Sequence, residues 1–204
     1  MAYVCAAPLM GKLVKEKIMN RTESTLPSLG DISELSRLLV ASPVGDLTLI
    51  ASPRGLRAVL WPNEFVSLRE HDAEHIPLAA AGHQRSAAVL EQARRELAEY
   101  FAGDRRQFDV PLDPVGTDFQ LSAWLELRRI PFGSTISYGE QARRLGDVRK
   151  SRAVGAANGR NPISIIVPCH RVVGSNGKLV GFAAGLDAKA WLLSHEQGKL
   201  TLLD

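Results

Sequence analysis

The spacing of hydrophobic positions changes character along the chain. From Leu38 to Trp61, three apolar runs (Leu38-Leu39-Val40, Leu47-Thr48-Leu49-Ile50 and Leu56-Arg57-Ala58-Val59-Leu60-Trp61) are separated by Ser-Pro-Val-Gly and Ser-Pro-Arg-Gly. Proline and glycine in those separators are turn chemistry, so the pattern predicts a small antiparallel meander. Over 84–102 the period becomes helical. Leu90, Ala93, Leu97 and Phe101 fall on one face, Glu91, Arg94, Arg95 and Glu99 lie between them, and Gly103 stops the helix. Residues 1–30 show no sustained period and end in a Ser/Thr/Pro/Gly-rich stretch, which predicts a loosely ordered extension reaching to about residue 35. Met19 opens a polar segment and is a candidate natural start.

Pro111, Pro114 and Gly116 mark a linker, and a boundary near 112–117 divides a segment 36–112 from 117–204. Beyond it the chain turns helical. One helix is expected over 118–129, closed by Pro131 and Gly133. A second runs from Ser137-Tyr138 to Leu145-Gly146, and a third, rich in small residues, covers 150–158. A last one starts at Asp187 as N-cap and buries Trp191 and Leu192 before Gly198. The second and third, short and joined by a glycine-containing turn, form a helix-turn-helix pattern. The fold class is therefore mixed α/β (α+β).

Charge sharpens the division. Residues 1–116 hold 13 Lys and Arg against 15 Asp and Glu, whereas 117–204 hold 12 against 7. Within 143–160, Arg143, Arg144, Arg149, Lys150, Arg152 and Arg160 face only Asp147. So narrow a basic cluster points to a polyanion partner. Two cysteines, Cys5 and Cys169, are too few for a disulfide framework and suit a reducing, cytoplasmic setting. No run is long and apolar enough for a membrane span.

Residues 163–167, Ile-Ser-Ile-Ile-Val, read as a strand ended by Pro168, followed at once by Cys169, His170 and Arg171. A free cysteine is most often a small buried hydrophobe. Here imidazole and guanidinium neighbours favour the thiolate, the reactive form. Glu196 lies in the last turn of the last helix, where a carboxylate meets the wrong end of the dipole. A local rule broken in this way signals function.

Several stretches appear in order: Ile136-Ser137-Tyr138-Gly139-Glu140, Arg152 to Asn158, Asn161-Pro162 through Val173, Gly181-Phe182-Ala183-Ala184-Gly185, and Trp191-Leu192-Leu193-Ser194-His195-Glu196. Together they resemble the O6-alkylguanine-DNA alkyltransferases, the methylated-DNA–protein-cysteine methyltransferases. The resemblance implies a ribonuclease-H-like N-terminal domain with antiparallel sheet and helix, and a mostly helical C-terminal domain with a winged-helix-like helix-turn-helix. It implies a monomer that acts on double-stranded DNA. Alkyl groups would pass from O6-alkylguanine, and O4-alkylthymine, to Cys169 in one irreversible turnover, without cofactor. His170 would accept the thiol proton through water, Glu196 would orient the imidazole, and Asn161 would tie the cysteine turn together.

Lesion recognition requires the base to leave the stack. By resemblance, Arg152 fills the vacated space and Tyr138 favours rotation and donates to guanine N3. The backbone N–H of Ala183 lies near O6, and the carbonyls of Cys169 and Val172 accept from the exocyclic amine. The small-residue helix carrying Ala153, Gly155, Ala156, Ala157 and Asn158, with Arg160 beyond it, enters the minor groove. Ala183 stands where some relatives carry serine. Some relatives bind zinc in the N-terminal domain, but Cys5, His71, His75 and His83 lack ligand spacing, so no metal is expected. Two rivals remain. One is a non-catalytic binder of alkylated bases, which would lack the reactive cysteine. The other is a cysteine hydrolase using Cys169 and His170, disfavoured because neighbours in an extended segment point to opposite faces.

Overall fold

The computed structural model describes residues 29, 31–62, 64, 76–79 and 84–199. Most of the expected extension, with Cys5 and Met19, lies outside the described residues, as do His71, His75 and His83. The meander forms as β1 (Ser36–Val40), β2 (Leu47–Ser52) and β3 (Gly55–Leu60). Pairing is antiparallel, Ser36 against Ala51 in the first pair and Thr48 against Leu60 in the second, with a register slip at Ile50/Ala51. Every residue of β2 and β3 is buried, so both faces of the sheet are covered. The period of two sorts them. Leu47, Leu49, Ala51 and Val59 pack with Leu90, Ala93 and Leu97 of α1 (Gln84–Ala102), while Ile50, Ala58 and Leu60 face Leu29, Leu35 and Ile76.

Four further helices follow: α2 (Asp118–Leu127), α3 (Tyr138–Arg144), α4 (Ser151–Gly159) and α5 (Leu186–Glu196). Thr117 and Gln120 close a capping box on α2, and the Ser137 hydroxyl accepts from Glu140 N–H at the start of α3. A 3₁₀ turn at Val148–Lys150, capped by Asp147, links α3 to α4 and completes the helix-turn-helix. β4 (Ile136–Ser137) pairs in parallel with β5 (Val172–Val173). That two-residue ladder pins the start of α3 to the residues that follow Cys169.

Two expectations change. The apolar run 163–167 is not a strand, since only Ile163 bridges to β3, opposite Val59. Its β-branched residues are all buried, but no neighbouring strand offers a row of backbone partners. The run instead folds on itself, with Ile165 at φ 75°, a left-handed backbone that a β-branched residue adopts only under strain. The N-cap of α5 is Gly185 at φ 90°, without a side-chain cap bond. Asp187 sits inside the first turn, where its charge suits the dipole, and Trp191 is only partly buried.

β3 is the seam of the molecule. Leu56 N–H donates to Pro111 O at 2.7 Å, Asp113 N–H to Leu56 O at 2.8 Å, and Val59 N–H to Pro162 O at 2.8 Å. Trp124, Leu127, Ile163, Val167 and Leu192 share one core with Leu49 and Leu97, so the packing is continuous across 112–117. At Gly55 an added Cβ would stand 2.7 Å from Pro111 O, a backbone atom that cannot swing aside. Gly55→Ala is therefore expected to destabilise the protein by about 2 kcal/mol, read as a lower urea midpoint in tryptophan fluorescence. Unchanged stability would contradict this close approach.

Candidate active site

Cys169, His170 and Arg171 form a single 3₁₀ turn directly after Pro168, and all three are buried. Because successive residues in such a turn are not on opposite faces, the extended-segment reasoning against a Cys–His pair does not apply here. The turn is held from below by Asn161. Its Nδ2 donates to Val167 O at 2.7 Å and its Oδ1 accepts from Ile163 N–H at 3.1 Å, stapling the strained 161–167 segment. Asn161 and Ser164 also stand near enough to the Cys169 sulfur to favour its ionised form.

Glu196, the last residue of α5, accepts five hydrogen bonds. Tyr100 Oη (3.0 Å), His170 Nε2 (2.7 Å) and Arg171 Nη2 (2.9 Å) reach Oε1, while Gly133 N–H (3.0 Å) and Arg171 Nε (2.9 Å) reach Oε2. Burial pushes its carboxyl up, but the His170 hydrogen bond and then the hydrogen bonds and charge of Arg171 outweigh it and hold the group down at about 2. The carboxylate is an acceptor only, so His170 must donate from Nε2–H. Its Nδ1 then presents a lone pair, and that atom is buried with no hydrogen-bond partner among the described residues. Burial pushes the His170 basicity down against the pull of Glu196, so the resting imidazole is neutral.

The sequence argument for a resting thiolate is overturned. Burial pushes the Cys169 thiol up, and the opposing influences of Asn161, Lys189 and Ser164 do not offset it. Arg171, the neighbour invoked to favour the thiolate, is spent on Glu196 and Ile130 O. The cation that does face the sulfur is Lys189, fully buried, with Nζ donating to Val172 O at 2.6 Å and Val180 O at 2.8 Å. Burial pushes its own basicity down. Tyr138 stands opposite, its ring centroid 6.0 Å from Lys189 Nζ and its hydroxyl donating to Val180 O at 3.2 Å. Burial and then the Cys169 charge push that hydroxyl up to about 12, so it remains a donor.

The predicted residues thus divide. Cys169, His170, Glu196, Asn161, Tyr138 and Val172 converge, and Ala183 lies half-buried in the segment beside Phe182, whose ring meets Trp61 edge-on. Val172 O is already occupied once, by Lys189. On α4, Arg152, Ala153 and Ala156 are exposed, Gly155 is partly so, and Arg160 is exposed just beyond. Ala157 and Asn158 are not on that face. Trp124 Nε1 donates to Ala157 O at 2.9 Å, and Asn158 pairs with Gln141 at 2.7 Å and 3.3 Å. Much of the basic stretch is also neutralised internally. Arg143 and Arg144 pair with Glu140, and Arg149 with Asp147. Lys150 and Arg152 form no ion pair among the described residues. Tyr100, Gly133, Lys189 and Ser164 were missed, and Arg171 was expected to act on the cysteine and instead serves Glu196. No group of His, Cys, Asp or Glu among the described residues could hold a metal ion, and no helix there is long and apolar enough to cross a membrane.

A buried cysteine beside an imidazole–carboxylate relay, set under a helix-turn-helix, defines a cysteine-dependent enzyme of nucleic acid. Residues 118–198 match the 6-O-methylguanine DNA methyltransferase DNA-binding domain, and 37–114 match the ribonuclease-like domain of the same proteins. The chain belongs to this family. It is 44% identical over 155 residues to the methylated-DNA–protein-cysteine methyltransferase of Methanosarcina acetivorans, covering 76% of this chain and 94% of that one. It is also 44% identical over 160 residues to that of Shigella flexneri, covering 77% and 92%. Among solved structures, Mycobacterium tuberculosis OGT in complex with DNA aligns with a TM-score of 0.68 and 39% identity, covering 82% of this chain and 95% of that one.

The sign of the Glu196 effect sets a test. A carboxyl held near 2, against an ordinary 4.5, stabilises the fold above about pH 4.5, and that contribution is lost as pH falls through about 2. Glu196→Gln, which also leaves Arg171 buried without a counter-charge, should cost about 3 kcal/mol at pH 7. The gap to the parent should narrow below pH 4.5 in urea titrations. A gap independent of pH would contradict the ionised network.

Proposed function

We propose that this protein repairs duplex DNA by moving the alkyl group of O6-alkylguanine, and of O4-alkylthymine, onto its own Cys169, once per molecule. The observation that carries the mechanism is the free, buried Nδ1 of His170, whose opposite nitrogen is fixed on Glu196. In this reading the Cys169 proton passes through a water to Nδ1, and Glu196, itself held by Arg171, stabilises the resulting imidazolium. The sulfur attacks the alkyl carbon, the C–O6 bond breaks, and its electron pair returns to the guanine. Lys189 faces the transient thiolate, and Tyr138 donates to the departing base. The thioether product has no route back to a thiol, so the protein is consumed.

A buried sulfur can be reached only by a base turned out of the helix, at a cost of a few kcal/mol. Arg152, exposed and without an ion-pair partner among the described residues, fills the gap, and α4 offers Ala153, Gly155 and Ala156 to the minor groove. Lys150 and the exposed Arg160 meet phosphates, which makes binding salt-dependent and largely indifferent to sequence. Residues 36–112 act as the scaffold that seats the cysteine turn, and 117–204 bind DNA and transfer the group. The protein acts as a monomer in the cytoplasm, on the nucleoid in a bacterial cell. A non-catalytic binder would have no use for a cysteine beside an imidazole relay.

Intact-mass measurement after mixing with O6-methylguanine DNA should give one added methyl per molecule, mapped to Cys169, and then no further turnover. Cys169→Ser should abolish transfer and leave DNA affinity within about twofold, because the phosphate contacts lie elsewhere. Sustained turnover, or label on Cys5, would sink the assignment.

Arg152→Ala should slow repair of duplex DNA by at least about tenfold, since stabilising an extruded nucleotide is worth a few kcal/mol. Reaction with free O6-benzylguanine should remain within about twofold, because a free base needs no extrusion. Arg94→Ala, whose charge is paired with Glu91 on α1, serves as the control and should alter neither. Equal losses on both substrates would mean that Arg152 shapes the pocket instead.

A further inference from the structure

A cavity of about 320 Å³ opens between the C-terminal end of α2 and the loop after α1. Its wall includes Pro168 and Arg171, the residues on either side of the Cys169–His170 pair. Arg106, Arg128 and Arg129 also line it, so four of its eleven lining residues are arginines and none is acidic. Two of these charges are already answered, Arg129 by Glu126 at 2.9 Å and Arg171 by Glu196 at 2.9 Å. Arg106 and Arg128 form no ion pair among the described residues.

Arg128 has a local reason for its place, since a cation at the end of α2 suits the helix dipole. Arg106 has none. Its guanidinium lies 5.6 Å from the centroid of the Phe132 ring, and that of Arg171 lies 5.8 Å from the same centroid. Cation–π attraction helps to hold each, and because Glu196 already answers Arg171, Arg106 is the charge at this ring left to meet an anion in the cavity. Arg171 uses three of its five N–H groups in hydrogen bonds to Glu196 and Ile130 O, leaving two unspent.

We propose that this cavity binds a phosphate ester, with Arg106 and Arg128 as its main counter-charges. Guanidinium forks match phosphate oxygens in pairs, and the volume admits a phosphate with an organic group attached. The phosphate can come from a free nucleotide or from a DNA backbone outside the α4 face. The site is defined by charge and shape and stands whether or not Cys169 is the alkyl acceptor.

The test compares the full chain with the Arg106→Gln/Arg128→Gln double variant, both side chains being exposed. Saturating sodium pyrophosphate, against sodium chloride at equal ionic strength, should raise the parent's melting temperature by about 3 °C. The double variant should melt normally without ligand and lose that rise, and each single variant should lose about half. Binding to undamaged duplex across a salt series then separates the sources. A slope reduced by about two in the double variant assigns the site to backbone phosphates, while an unchanged slope assigns it to free phosphate esters. No pyrophosphate-specific rise in the parent, or an equal rise in the double variant, overturns the proposal.

Discussion

The Glu196 carboxylate is the point on which the rest of the site depends. It stands at the end of α5 where the helix dipole opposes it, out of water, and it is stable there only because α1, the Gly133 loop and the cysteine turn all send donors to it. Removing water from a carboxylate costs several kcal/mol, and a guanidinium with a full set of hydrogen bonds is what can offset that. The arrangement therefore acts as a clamp. Three segments far apart in sequence must be correctly placed before the charge is satisfied, and the cysteine turn is one of them. Gly133 is part of the same clamp. It turns at φ 74°, and a Cβ there would come within 3.0 Å of Glu196 O, so backbone and carboxylate of the same residue both bear on it.

The clamp also fixes chemistry. With Glu196 charged, His170 has one permitted tautomer, and its basic nitrogen is the one without a partner. The thiol beside it is not poised as an anion, because burial works against ionisation more strongly than Lys189, Asn161 and Ser164 favour it. Glu64, also buried, adds to that opposition. The resting site is thus a neutral thiol next to a neutral base. Charge separates within it only when both partners of the new ion pair, imidazolium and thiolate, already have counter-charges waiting in Glu196 and Lys189.

Much of this was legible in the chain. The meander and α1 follow from period and turn residues, and Glu196 was visible because it violates the dipole rule. What the sequence hid were long-range partners. Nothing near Tyr100 or Gly133 points sixty or more residues ahead to Glu196. One omission and one misplacement did leave a signal in the helical period. On α5, Lys189 precedes Glu196 by two turns, so if Glu196 faces inward Lys189 must do so too. On α4, Val154, Ala157 and Asn158 share one stripe, and the apolar Val154 marks it as the buried one, which removes Ala157 and Asn158 from the exposed face. The 163–167 run misled for a different reason. β-Branched composition reports burial, not pairing, and here burial was achieved by a folded turn held by one asparagine.

Burial of the sulfur bears on why a single turnover suits this site. A thiolate in such surroundings is raised in free energy by lost hydration, whereas a thioether carries no charge and loses little on burial. On the proposed reading, the desolvation that resists ionisation therefore drives alkyl transfer forward once the thiolate forms. Lys189 meets an anion only while the thiolate lasts, and before and after transfer it is held by the Tyr138 ring and the carbonyls of Val172 and Val180. One of these lies in β5, the strand that pairs with the start of α3, and the other accepts from Tyr138. Lys189 thus ties the cysteine turn to the first residue of the helix-turn-helix through the two hydrogen bonds that meet at Val180 O.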